Sequence, residues 1–122
     1  MATKKTPQQI GKSSRQKGAR GEREVCKALK EAFPGEDFRR GYQRRVHTDE
    51  PDVVGPPWFK FWPECKNAKA PNILKAYHQA NDETDGRPPL VFSKKTHDPS
   101  GWLVTMNMDT FLDLLKKAKL DE

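Results

Sequence analysis

Two carboxylates and a lysine are spaced in a way that can do chemistry. Pro51-Asp52 is followed, after eleven intervening residues, by Glu64-Cys65-Lys66. Successive side chains of a strand alternate faces, so Glu64 and Lys66 are expected on one side and Cys65 on the other. If Asp52 lies on the neighbouring strand across Gly55-Pro56-Pro57, the two carboxylates converge. Acids a few ångströms apart repel unless a cation sits between them, which points to a hard, oxygen-ligated metal such as Mg²⁺. Lys66 beside it would orient a water or neutralise charge on a phosphate. A blander alternative makes Glu64 and Lys66 an exposed ion pair on one strand face, worth under about 1 kcal/mol. Short patterns of this kind also arise by chance.

A third acid comes from a helical pattern over Gly18–Phe33, where Val25, Ala28, Leu29, Ala32 and Phe33 fall at the spacing of one buried face. With the stripe centred near Val25, Glu22 lies about 50° from the centre and Glu24 about 110° away. Glu22 is thus expected at the border of the core, able to reach inward, and Glu24 in water.

The elements that must position these residues follow from periodicity and breakers. Pro34-Gly35 stops the first helix, and Asp37–Val46 is a candidate strand rich in arginine. Pro51–Val54 and Trp58–Lys66 are β-prone runs on either side of the Gly-Pro-Pro turn. Pro71 to about Asp82 makes a second helix, with proline at its start and Asp85-Gly86 past its end. Leu90–Ser93 and Trp102–Met106 are further strands. Asp109–Leu120 closes the chain as an amphipathic helix, with Phe111, Leu112, Leu114 and Leu115 on or near its buried side and lysines at its C-terminal end. The order is αβββαββα, in one domain of residues 18–122. Residues 1–17 are expected to form a flexible basic arm.

Charge sharpens the picture. The 122 residues carry a net charge of +6, from 23 Lys and Arg against 17 Asp and Glu. Residues 1–21 hold six of the bases (Lys4, Lys5, Lys12, Arg15, Lys17 and Arg20) and no acid, so the whole excess belongs to the N-terminal region. Such a stretch attracts polyanions, nucleic acid foremost, although a solubilising tail has the same composition. Arg39, Arg40, Arg44 and Arg45, interleaved with Tyr42, suit phosphate contact and stacking, or a charged strand edge. No apolar run approaches the roughly 20 residues that cross a bilayer, and no secretory h-region is apparent. Cys26 and Cys65 make no disulfide framework and fit a reducing cytoplasm. With His47, His78 and His97 they lack zinc-ligand spacing and are expected as small core residues. Asp49-Glu50 is expected as solvated loop, with an outer-ligand role as the alternative. Trp58, Phe59, Phe61 and Trp62 are expected as core or interface anchors, with base stacking by one of them as the alternative.

Three stretches, Lys17-Gly18-Ala19-Arg20-Gly21-Glu22-Arg23-Glu24, Pro51-Asp52-Val53-Val54 and Glu64-Cys65-Lys66, resemble the PD-(D/E)XK nuclease superfamily. Within it the resemblance is closest to archaeal and phage-type Holliday junction resolvases, and it covers roughly residues 17–95 in element order. The resemblance implies an α/β restriction-endonuclease-like core, a mixed central β-sheet flanked by helices. It implies Glu22, Asp52, Glu64 and the Cys65 backbone carbonyl as ligands of Mg²⁺, with Mn²⁺ as a substitute, and Lys66 as the catalytic lysine. Arg23 resembles a first-helix arginine used on DNA. Lys17, Arg20, Arg39, Arg40, Arg44, Arg45 and Lys94 are the other candidate DNA contacts. The implied activity is hydrolysis of phosphodiester bonds in branched DNA, a four-way junction foremost, leaving 5′-phosphate ends and carried out by a symmetric homodimer.

Two departures bear on the substrate. Tyr42-Gln43-Arg44-Arg45-Val46-His47 stands where such resolvases carry a Ser/Gly-rich loop, and the second helix has Tyr77 in place of an aromatic pair. Its Gln79 is similar to a glutamine of other branches and is a possible accessory residue. A flap-type, virus-type or nicking nuclease of the same superfamily is therefore the alternative enzyme. A basic DNA-binding protein with an inactive core is the alternative outside enzymology.

Overall fold

The structure is a computed structural model that describes residues 7–42 and 50–120, with side chains of the first helix from Gln16 onward. Its order is α1 (Pro7–Ala32), β1 (Arg39–Arg40), β2 (Val53–Val54), β3 (Trp62–Ala68), α2 (Ile73–Glu83), β4 (Pro89–Lys95), β5 (Trp102–Met106) and α3 (Met108–Leu120). The protein is α/β, with a mixed three-stranded sheet, helices around it and a small antiparallel pair of strands. β3 and β4 run parallel, as a strand–helix–strand crossover through α2 requires, and β5 returns antiparallel to β4. β1 and β2 pair antiparallel, Arg39 opposite Val54 and Arg40 opposite Val53. The Asp52 amide donates to the Pro63 carbonyl at 3.0 Å and ties the small sheet to β3.

Helical backbone begins at Pro7, where the sequence predicts an arm up to residue 17. Proline at the first helical position has no amide to leave unpaired, and Gln8, Gln9, Lys12 and Lys17 are good helix formers. The buried face of α1 is also rotated from its predicted phase. Gly21, Glu22, Val25 and Cys26 are buried and Leu29 is half-buried, whereas Ala28, Ala32 and Phe33 are exposed. The helix can lie so close because residue 21 has no side chain: a Cβ there would stand 2.9 Å from the Asn67 Cβ and 3.1 Å from the Trp102 ring.

β3 starts at Trp62, four residues later than predicted, because the preceding aromatics fold into a turn. The Phe59 amide donates to the Pro56 carbonyl at 2.9 Å. Trp58 then packs edge-on to Phe33 at 4.9 Å between centroids, and Phe59 to Phe38 at 5.3 Å. Each such pair adds roughly 0.5–1.5 kcal/mol beyond area burial. Phe38, Phe59 and Trp62 are buried, as an anchor role requires, while Trp58 is exposed at the cluster's edge.

α2 is capped by Asn72, whose side chain accepts from the Lys75 amide at 3.0 Å. α3 departs from expectation: Phe111, Leu112 and Leu115, predicted on or near a buried side, are exposed, and the helix contains no buried residue. Its amphipathic pattern is real, but no element of the described fold covers the apolar stripe.

Candidate functional site

Glu22 is placed by α1, Asp52 by the residue before β2, and Glu64 and Lys66 by β3. All four line one cleft of about 290 Å³, whose wall also includes Glu50, Gln79 and Glu83. Strand alternation puts Glu64 and Lys66 on one face, 3.4 Å apart, and sends the Cys65 side chain into the core with Cys26, Val25, Phe38 and Val53. Both cysteines are free thiols, and burial pushes both thiols up from their ordinary pKa.

Each of the three acids faces a different compensating group. Asp52 Oδ2 accepts from the Cys65 amide at 2.8 Å. Arg40 Nε donates to Glu22 Oε2 at 2.9 Å. Glu64, 5% exposed along the chain's buried wall, is paired with Lys66. Desolvation, with the Asp52 charge next in size, still pushes the Glu64 carboxyl up to about 7, against the attraction of Lys66.

Among the described residues no three Asp, Glu, His or Cys side chains are gathered into a group that could hold a metal ion. The chemistry of the donors nevertheless fits a hard divalent cation. They are carboxylate oxygens brought from three separate stretches of the chain to one cleft.

Glu22 sits nearer the middle of the buried face of α1 than its predicted border position. The alternate acid, Glu24, expected in water, is half-buried with its side chain 38% exposed. It accepts from the Trp102 indole at 2.8 Å and from Lys94 at 3.2 Å, and these bonds, the indole's foremost, hold its carboxyl below the usual range. Lys94, predicted on DNA, is thereby engaged with α1, half-buried and 5.9 Å above the Trp102 ring. The two arginines of β1 are engaged as well: Arg39 grips Glu50 with a bond of 2.6 Å and one of 3.0 Å and stacks on Tyr42, while Arg40 holds Glu22. The Lys17 carbonyl accepts from Asn67 at 3.2 Å, joining α1 to β3. Arg20 and Arg23 are exposed. Arg44, Arg45 and His47 lie outside the described residues.

Sequence reasoning weighed Glu50 as solvated loop, yet it lines the cleft, half-buried under Arg39. It missed Glu83, which lies one helical turn after Gln79 on α2 and receives a 3.4 Å bond from it. It also missed Lys27 and Lys30. Together with Arg23, Arg39 and Arg40 they line a second groove, of about 440 Å³, between α1 and β1. The signal was present: residues 20, 23, 27 and 30 recur at helical spacing on one side of α1 and are all basic. No helix among the described residues is long and apolar enough to cross a membrane. No protein-family model, curated protein or solved structure matches the chain.

Proposed function

We propose that this chain is a Mg²⁺-dependent DNA endonuclease with a restriction-endonuclease-like core, selective for branched DNA and most of all for four-way junctions. The observation that carries this reading is the meeting of Glu22, Asp52, Glu64 and Lys66, distant in sequence, on one cleft. The element order αβββαββα and the hydrogen bond that ties β2 to β3 support the core assignment.

Glu22, Asp52, Glu64 and the Cys65 carbonyl would hold the cation. The chemistry supplied by Mg²⁺, or by Mn²⁺ in its place, is Lewis-acid polarisation of a phosphodiester and activation of water. Lys66, half-buried beside Glu64, sets a positive charge where negative charge grows on the phosphate. Gln79 reaches the same cleft from α2 and would orient a water or the leaving group. Hydrolysis of this kind expels the 3′ oxygen and leaves a 5′-phosphate end. The groove lined by Arg23, Lys27, Lys30 and the β1 arginines adjoins Glu22 through Arg40, so a backbone held there leads toward the cleft.

The test is cleavage of a labelled four-way junction in Mg²⁺ beside a flap and a linear duplex, with Asp52→Asn as control. Paired symmetric nicks on the junction, absent in the variant, are expected. Equal cutting of flap or duplex would keep the nuclease and discard junction selectivity, in favour of a flap-type or nicking enzyme. Tight binding without cleavage in Mg²⁺ or Mn²⁺ would overturn the enzyme and leave a basic DNA-binding protein.

A further inference from the structure

We propose that the cavity at the carboxyl ends of β3 and β4 is a binding site for a phosphomonoester, that of a nucleoside 5′-monophosphate. The inference stands on this cavity and does not rest on the nuclease reading. The cavity holds about 410 Å³ and lies where α2 begins. Its floor includes Ser93 on β4, the central strand of the three-stranded sheet. Ser93 pairs with Lys66 on one side and Leu103 on the other, and alternation turns its side chain toward α2, whose Ile73 lines the same cavity. Ser93 is 3% exposed, yet its hydroxyl has no hydrogen-bond partner among the described residues. Nor is it sealed in the core, where the fully buried unpartnered side-chain atoms are Trp62 Nε1 and Thr96 Oγ1. The hydroxyl therefore opens on the cavity. A buried hydroxyl without a partner is costly, and a ligand that bonds it removes that cost.

The surroundings of Ser93 select an anion. α2 has no acid in its first turn and carries Lys75 there instead, against the helix dipole. Asn72 takes the Lys75 amide, whereas the Ile73 amide has no acceptor among the described residues. Lys69 follows β3 and Lys95 ends β4, and both line the cavity. The Thr96 amide donates to the Ala68 carbonyl at 3.0 Å and holds these two strand ends together. Asp98 is the acid on this wall. Its Oδ1 accepts from the Ser100 amide at 2.8 Å, and that bond, with Lys95 nearby, holds its carboxyl below the usual range. Two ammonium groups and a helix N-terminus outweigh this carboxylate. A hydroxyl, an amide and two ammonium groups around one space suit a tetrahedral oxyanion.

Shape narrows the anion to a terminal phosphate. The sheet closes the cavity behind Ser93, so a phosphodiester, substituted on both sides, would have to leave twice by the same mouth. The rest of the wall is largely apolar, with Ala70, Pro71, Ile73 and Leu103, and Leu103 is 54% exposed. Inorganic phosphate would leave this surface bare, whereas the base and sugar of a nucleoside cover it. The crevice beyond the carboxyl ends of parallel strands, with a helix N-terminus on the phosphate, is where a strand–helix–strand unit is best built to hold such a ligand.

The test is isothermal titration calorimetry of the full chain in EDTA, which keeps the acidic cleft free of cations, joined to ¹⁵N amide shift mapping. Deoxyadenosine 5′-monophosphate is expected to bind with a dissociation constant below about 1 mM, and deoxyadenosine at least about tenfold more weakly. Ribose 5-phosphate and inorganic phosphate are expected to bind more weakly than the nucleotide, because they leave the apolar wall bare. Ribose 5-phosphate binding as tightly as the nucleotide overturns the nucleoside assignment. The amides of Ile73, Ser93 and Gly101 are expected to shift. Ser93→Ala is expected to weaken the nucleotide about tenfold, and Lys95→Gln about fivefold. The proposal is overturned by an absence of binding up to about 10 mM, by shifts confined to the groove of Arg23 and Lys30, or by an affinity indifferent to Ser93→Ala. If Ser93→Ala does not fold, Lys95→Gln, at an exposed position, decides the matter, and an affinity it leaves unchanged overturns the site.

Discussion

The side chain of Asp52 accepts a hydrogen bond at 2.8 Å from the backbone amide of Cys65, thirteen residues further along the chain. One carboxylate thus helps set the position of β3, and with it Glu64 and Lys66 on either side of Cys65. Structure and chemistry can be separated at this residue by the choice of substitution. Asp52→Asn keeps an acceptor for the Cys65 amide and is expected to leave stability nearly unchanged while abolishing cation-dependent cleavage. Asp52→Ala leaves a buried amide unsatisfied and is expected to cost about 1–3 kcal/mol besides. Urea unfolding of the two variants beside a cleavage assay checks both statements.

Glu64 makes stability depend on pH in a defined direction. Its carboxyl is raised from 4.5 to about 7 by burial and then by Asp52, so the folded chain binds this proton more tightly than the unfolded chain. The stabilisation is present in full below about 4.5 and lost as pH rises through about 7, by an amount on the order of 3 kcal/mol. Glu24, whose carboxyl is lowered, acts in the opposite sense and only below its ordinary range, so it does not mask this window. Glu64→Gln is expected to flatten the fall in unfolding free energy between pH 5 and 8 and to exceed wild type at the upper end. In the proposed nuclease, Mg²⁺ is expected to raise the melting temperature of wild type more at pH 8 than at pH 5.5, because the ligand must lose its proton to bind.

The element order was legible because several elements carry local signals: the Gly55-Pro56-Pro57 turn between two β-prone runs, proline near the start of α2 and Asp85-Gly86 past its end. The phase of α1 was less so. Cys26 and Gly21 join its buried face, and neither registers as strongly apolar, so the stripe read from Ala28, Ala32 and Phe33 was turned away from Glu22. The partners of Glu24 and Lys94 were illegible for another reason. A tie from α1 to β4 and β5 spans some seventy residues and exists only after the sheet has formed. Glu64 and Lys66 were the easiest, since alternation within one strand is a local matter, whereas Asp52 reaches them from beside β2, which forms a separate sheet with β1 and is separated from β3 by seven residues.

Two glycines are expected to respond oppositely to the same substitution. Gly41 donates to the Asp52 carbonyl at 2.9 Å, and a Cβ there would stand 1.8 Å from the Pro51 carbonyl oxygen. Only a residue without a side chain lets the chain after β1 lie against the chain before β2. Gly41→Ala is expected to cost about 3 kcal/mol or more, since backbone must move. Gly18 lies in α1 with nothing within 4 Å of its would-be Cβ. Gly18→Ala is expected to stabilise by about 0.5–1 kcal/mol through helix propensity and a less flexible unfolded chain. Paired denaturant titrations read both signs.

The cations of the α1 groove and Lys94 separate in the salt dependence of DNA binding. Arg23 and Lys30 are exposed on α1 and line the groove beside β1, where a phosphate backbone can approach them. Lys94 is held by Glu24, so its charge is already compensated within the fold. Every phosphate contact that is lost lowers the slope of log affinity against log salt by about 0.9. Arg23→Ala and Lys30→Ala are each expected to lower that slope by about one, on duplex and junction alike, because backbone contacts carry no sequence information. Lys94→Ala is expected to leave the slope unchanged and instead to lower stability, by loosening the tie between α1 and β4. Fluorescence anisotropy from about 50 to 200 mM salt, with Ca²⁺ replacing Mg²⁺ to hold back cleavage, resolves differences of this size. A slope that falls for Lys94→Ala and stays constant for Arg23→Ala would move the DNA track from the α1 groove to the side of the sheet where Lys94 and Trp102 meet.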